Sequence, residues 1–165
     1  MKKHVLLIGM PGSGKSTIGD LLSAELQLPL IDTDSVFEAR HQKPLDEIVR
    51  SIGDKPFLNQ ERELVQDALM SKSISVISPG GSIAYHQELR PTINDTCYAV
   101  YLHVPVSALR SRIANRPRGI VGRHGTFSEL FEERVPLYRK LAHYEVDGDR
   151  ETGFIVRIIK RMLRP

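Results

Sequence analysis

The sequence predicts an α/β fold, a parallel sheet with helices packed against it, on two observations. Short apolar runs alternate with longer stretches of helical period, and a glycine-rich loop joins the first run to the first helix. The runs are Val5 to Ile8, Leu30 to Ile31, Ser75 to Ser78 and Ala99 to His103, with a weaker fifth at Tyr144 to Val146. Between them, Ile18, Leu21, Leu22 and Leu26 stand at i, i+3, i+4 and i+8, and Leu64, Val65, Ala68 and Leu69 recur every three to four residues. Both stretches read as helices lying on the sheet. At the far end Phe154, Ile155, Ile158, Ile159, Met162 and Leu163 share one helical face, with Arg157, Lys160, Arg161 and Arg164 largely opposite. That pattern describes a docking helix with a solvated basic face, or alternatively a nucleic-acid surface. Two stretches read as irregular. Ile52 to Phe57 carries a glycine and a proline, and Arg116 to Thr126, "RPRGIVGRHGT", holds three glycines, one proline and three arginines in 11 residues, the composition of a mobile, cation-bearing lid.

Length and composition bound the rest. A chain of 165 residues and 18.6 kDa holds one full core, so we expect a single domain over residues 1–165. Hydrophobic residues at 41% and charged residues at 26% exclude a disordered or fibrous chain. No apolar stretch nears the 18 or so residues a membrane span needs, and Met1 to His4 leads into a strand without a secretory core. We therefore expect a cytoplasmic protein with no membrane partner, acting as a monomer. Cys97 is the only cysteine and reads as a buried structural thiol, and the six histidines lack metal-ligand spacing. A net charge of +3 is mild for a nucleic-acid binder and equally suits an anionic small substrate; we expect the latter and no nucleic acid.

Gly9-Met10-Pro11-Gly12-Ser13-Gly14-Lys15-Ser16 fits G-x-x-x-x-G-K-[ST], and Thr17 extends it. An apolar strand precedes it and a helical pattern follows, which is the setting of a phosphate-binding loop and of the P-loop NTPase class. Glycines let backbone N–H groups converge on phosphate oxygens, and the helix that follows points its positive end at them. The expected nucleotide-binding residues are Gly12, Ser13, Gly14, Lys15, Ser16 and Thr17, with Lys15 on the β- and γ-phosphates and the Ser16 hydroxyl on Mg²⁺. Asp32-Thr33-Asp34 closes the second strand, where residues two apart share a face at the ligand-bearing carboxyl edge. Asp32 there suits Mg²⁺ through water. Asp34 suits a base that takes a proton from an attacking hydroxyl, or it is no more than the N-cap of a helix from Ser35. Pro79-Gly80-Gly81 closes the third strand, as a close approach for a ligand or as a plain turn. Arg134 lies on an apolar stripe with Leu130, Leu137, Tyr138 and Leu141, and needs either an anionic ligand or a structural carboxylate. Pro136 interrupts that helix or resets its start.

Taken in order, "GMPGSGKST", "DTD", the Phe57 and Glu61 pair, "PGG", the arginine-rich segment from Arg116 and "RVPLYRKLA" from Arg134 resemble the shikimate kinase family, over about Val5 to Tyr144. The resemblance implies a five-stranded parallel sheet with helices on both faces, nucleoside monophosphate kinase-like, with a mobile lid at about 116–126. It implies ATP and Mg²⁺ as cofactors and a small-molecule hydroxy acid as acceptor. By position it also implies Asp34 on the substrate's hydroxyls, Arg134 on its carboxylate, and Phe57, Gly80 and Gly81 around its ring. Arg116 would meet the transferring phosphate and Arg110 would lie against adenine. The chain departs from the family's F-R-x-x-E segment, with Leu58 where the arginine stands and Arg62 one helical turn beyond. Losing one charged hydrogen-bond partner costs roughly 1.5–3 kcal/mol. Arg118-Gly119 in the lid and Pro79 also differ from the family pattern, so the acceptor pocket is expected to be altered. A regulatory NTPase of the GTPase type would carry N-K-x-D, which is absent, and an ATP-binding module without an acceptor would have little use for Asp34 and Arg134.

Overall fold

The run Val5 to Ile8 forms the middle of the sheet, and its two alternating faces explain why it is apolar throughout. A computed structural model describes residues 3–114 and 125–163. Strand β1 (His4–Ile8) is followed by helix α1 (Lys15–Leu26), β2 (Leu30–Asp32), α2 (Thr33–His41), α3 (Leu45–Ile52), α4 (Asp54–Met70) and β3 (Val76–Ser78). Two 3₁₀ turns, Gly81–Tyr85 and Gln87–Leu89, lead to α5 (Arg90–Thr96), β4 (Cys97–His103), α6 (Val106–Ile113), α7 (Phe127–Leu141), β5 (Tyr144–Asp147) and α8 (Thr152–Met162). The five strands are parallel in the order β2-β3-β1-β4-β5. Leu6 and Ile8 pack on one face with Val65, Leu69, Ile93, Tyr138 and Leu141, while Val5 and Leu7 pack on the other with Ile18, Leu22, Ile155 and Ile159. Helices on both faces leave no solvated side to the central strands, and a continuous apolar run is the result.

All five strands lie where the apolar runs predicted, within a residue or two at each end. Parallel pairing puts the carboxyl ends of β1, β2 and β3 at one edge, with Asp32 opposite Ser78. The glycine-rich loop, Asp32 and Pro79-Gly80 therefore leave the sheet side by side.

Four expectations are corrected. Asp34 is not on the strand: β2 ends at Asp32, which is the N-cap of α2, its carboxylate accepting from Ser35 N at 3.1 Å, and Asp34 sits in the first helical turn. Ile52 to Phe57 is not a loop, because Gly53 alone (φ 85°) separates α3 from α4. Pro56 fits the first turn of α4, where backbone N–H groups have no intrahelical acceptor to lose. Pro136 lies inside α7 without ending it, and that helix starts from a capping box in which Thr126 and Glu129 exchange side-chain-to-backbone hydrogen bonds. On α8, Phe154 is 44% exposed and Val156 is buried in its stead.

Cys97 is buried at the start of β4, and burial pushes its thiol up to about 11. About one thiol in a thousand is then ionised at pH 8. We expect the native protein not to react with an aromatic disulfide reagent on the minute timescale, and one equivalent to react in denaturant. Rapid native labelling would contradict the burial of this strand end.

Candidate active site

The loop from β1 to α1 turns on Gly14, whose φ of 92° is left-handed and whose position is the N-cap of α1. The loop thus ends with the positive pole of a 12-residue helix facing the sheet edge. Lys15 Nζ donates to the carbonyls of Gly9 (2.8 Å) and Met10 (3.0 Å). Ser16 Oγ donates to Asp32 Oδ2 at 2.9 Å, so a hydroxyl and a carboxylate from different elements meet beside the loop. Hard oxygen donors of this kind fit Mg²⁺, which takes one or two protein oxygens and fills its shell with water and phosphate. The loop fits a polyphosphate for the same reason, with helix end, lysine and close backbone together.

A cavity of about 340 Å³ opens over the carboxyl edge. Gly12, Gly14, Lys15, Ser16 and Thr17 line its donor end; Asp34, Phe57, Gly80, Gly81 and Arg134 are among the residues that line the rest, Glu38, Asp46 and Ser82 among the others, with Asp32 between. The order in the fold explains the meeting, since these residues follow β1, β2 and β3 or project from α4 and α7 onto the same edge. Gly80 N donates to Thr33 Oγ1 at 3.2 Å, tying the end of β3 to the first turn of α2. A Cβ on Gly80 would come within 2.8 Å of both Asp34 Oδ1 and Glu61 Oε1. A side chain there would have to push one of the two carboxylates aside.

Behind this wall lies a group of residues that the sequence reading did not assign to the site. Glu61 of α4 is fully buried, accepts from Ser82 Oγ at 2.8 Å, and its other oxygen lies 3.0 Å from His86 Nε2. The signal was Glu61 on the buried stripe of α4 with Leu64, Val65 and Ala68, since a buried acid needs partners. On the opposite side Arg134 is 1% exposed, yet it reaches the cavity. Burial works against its charge, but the neighbouring hydroxyls of Tyr138 and Tyr85 outweigh it and hold the guanidinium above its ordinary pKa. Tyr138 donates to the Gly81 carbonyl at 2.6 Å.

Other expected residues stand apart. Ser13 is buried beneath the loop, its N–H given to the Met10 carbonyl at 3.1 Å, and it does not line the cavity. Arg110 on α6 is exposed and donates to Ser128 Oγ. Its neighbour Arg112 touches the loop instead, from Nη1 to the Gly12 carbonyl at 3.4 Å. Leu58 joins the apolar cluster of Phe37, Ile48, Val49, Phe57 and Leu64, and neither it nor Arg62 lines the cavity. Arg116 and residues 116–124 of the lid expected at about 116–126 lie outside the described residues.

Phosphate loop, helix terminus, hydroxyl–carboxylate pair and a second cation across one cavity together define a P-loop phosphotransferase. The family model for shikimate kinase matches residues 11–164. The chain is 34% identical over 165 residues to a shikimate kinase of Clostridium beijerinckii, covering 99% of this chain and 96% of that protein. It is 33% identical to one of Nitrosomonas europaea, covering 96% of this chain and 78% of that protein. Among solved structures, a shikimate kinase from Acinetobacter baumannii in complex with shikimate superposes with a TM-score of 0.85 at 25% identity, covering 98% of this chain and 92% of that one. The enzyme from Aquifex aeolicus gives 0.81 at 28% identity, covering 97% and 95%. The chain belongs to the shikimate kinase family. It is accordingly a phosphotransferase with an alcohol group as acceptor, using ATP and Mg²⁺. Among the described residues, no helix is long and apolar enough to cross a membrane.

Removing His86 would leave the Glu61 carboxylate buried with a partner missing. We expect His86→Ala to lose about 3 kcal/mol of stability in urea denaturation. A loss under about 1 kcal/mol would show that this pair does not hold the wall together.

Proposed function

We infer that the protein moves the γ-phosphate of ATP to a hydroxyl of shikimate or a related polyol acid. One observation carries the reading: a single cavity is lined by Lys15 and Ser16 of the phosphate loop and also by a carboxylate, Asp34, and a buried cation, Arg134. Backbone N–H groups of the loop and the Lys15 ammonium would hold the phosphates, with Lys15 leaving the Gly9 and Met10 carbonyls to do so. Ser16 and Asp32 would hold Mg²⁺, which when bound neutralises charge on the phosphate oxygens. Arg134 would fix the acceptor by its carboxylate, and Asp34 would accept the proton of the attacking hydroxyl. Gly80 and Gly81, lacking side chains, would let the acceptor ring lie along the backbone, against the edge of Phe57. Arg110 on adenine and Arg116 on the transferring phosphate complete the reading by resemblance.

With Leu58 inside an apolar cluster, Arg134 carries the acceptor's carboxylate without a second arginine at that place. The same reading has the enzyme act as a cytoplasmic monomer.

Asp34→Asn keeps the shape of the side chain and removes the base. We expect kcat to fall by about 100-fold or more, the usual range for a positioned general base, with ATP affinity within about twofold of wild type. Undiminished turnover in that variant would retire Asp34 as the base.

A further inference from the structure

We propose that Tyr85 is a positioning residue that aims Arg134 into the cavity and sets how an acceptor carboxylate is held. The inference rests on the reading of Arg134 as the carboxylate site. Tyr85 ends the 3₁₀ turn that starts at Gly81, and both ends of that turn are fastened to α7. At Gly81, the carbonyl accepts from Tyr138. At Tyr85, the phenol oxygen accepts from Arg134 Nε at 3.3 Å, and the Arg134 guanidinium carbon stands 4.9 Å from the centre of the Tyr85 ring.

The two contacts do different work. A guanidinium over an aromatic face is attracted to the ring and loses rotation about its stem, while the hydrogen bond sets which edge points outward. With Nε given to Tyr85, the Nη edge turns toward the cavity wall. Nη1 supports this, because it would lie 3.0 Å from a Cβ on Gly81, a residue of the cavity wall. A carboxylate at that wall then meets the arginine in one fixed orientation. An arginine side chain otherwise carries about 2 kcal/mol of rotamer entropy that binding would have to oppose. Burial raises the Tyr85 phenol above its ordinary pKa, with Arg134 pulling it down and Glu133 pushing it up, so the ring stays neutral at working pH.

The test compares wild type, Tyr85→Phe, Tyr85→Leu and Arg134→Ala by ADP release, with shikimate and with its primary amide as acceptors. The readout is the preference for the carboxylate over the amide in kcat/KM, a ratio from which any loss of folded protein cancels. Tyr85→Leu removes both contacts and should lower that preference about tenfold, through the KM of shikimate, with kcat and the KM of ATP within about twofold. Tyr85→Phe keeps the ring and should lower it about threefold. Arg134→Ala should abolish it. If Arg134→Ala abolishes the preference and both Tyr85 variants keep it, Tyr85 does not aim the arginine and the reading of Arg134 stands. If wild type shows no preference, or Arg134→Ala retains it, the carboxylate site is elsewhere and the role of Tyr85 falls with it.

Discussion

The acceptor half of the site depends on the absence of a side chain at position 80. Asp34 from α2 and Glu61 from α4 both approach the Gly80 backbone so closely that a methyl group there would displace one of them. Gly80 also donates its N–H to Thr33. The end of β3 is thus the meeting point of two helices that are otherwise joined through α3 and the apolar cluster around Phe37 and Phe57. Asp34 is the proposed base and Glu61 supports the wall behind it, and their separation follows from burial. Asp34 lines the cavity, whereas Glu61 is fully enclosed with Ser82 and His86. Glu61 is held as a strut by Ser82 and His86, while Asp34 borders the space proposed for the acceptor.

The donor half is built by different means. Its phosphate loop comes from one stretch, β1, loop and α1, and turns on Gly14 with Lys15 hydrogen-bonded back to the Gly9 and Met10 carbonyls. The acceptor half needs α2, α4, the 3₁₀ turn and α7 to converge, so small changes of packing alter it. Leu58 illustrates the point. Turned into the apolar cluster rather than onto the cavity, it adds to the packing of α2, α3 and α4 and contributes nothing to anion binding. Among the described residues Arg134 is the arginine that lines the cavity, and holding it rigidly favours selectivity. The Tyr85 contact supplies that rigidity from behind the wall.

The strands, the phosphate loop and the carboxyl-edge location of the site were legible because each rests on local pattern. An apolar run, a glycine spacing and a parallel order leave little freedom. Asp34 was legible as a site residue but not in its setting, because Asp32 takes the N-cap and starts the helix earlier than the strand pattern indicated. Ile52 to Phe57 misled because a proline three residues into a helix looks like a break, although the first turn tolerates it. His86, Tyr85 and Ser82 were not legible at all. Their partners lie 21 to 49 residues away in sequence, on helices whose facing depends on how α4 and α7 pack. Arg134 was found through its apolar stripe, which gave burial and Tyr138 but not Tyr85 on the 3₁₀ turn.

The donor and acceptor halves serve one transfer, and ³¹P NMR of the protein incubated with ATP, Mg²⁺ and shikimate tests this. The γ-phosphate signal of ATP should be replaced by a phosphomonoester resonance on the acceptor, with ADP accumulating in equal amount. Inorganic phosphate as the only new product, at the same rate with and without acceptor, would make the protein a nucleotide hydrolase and contradict the account.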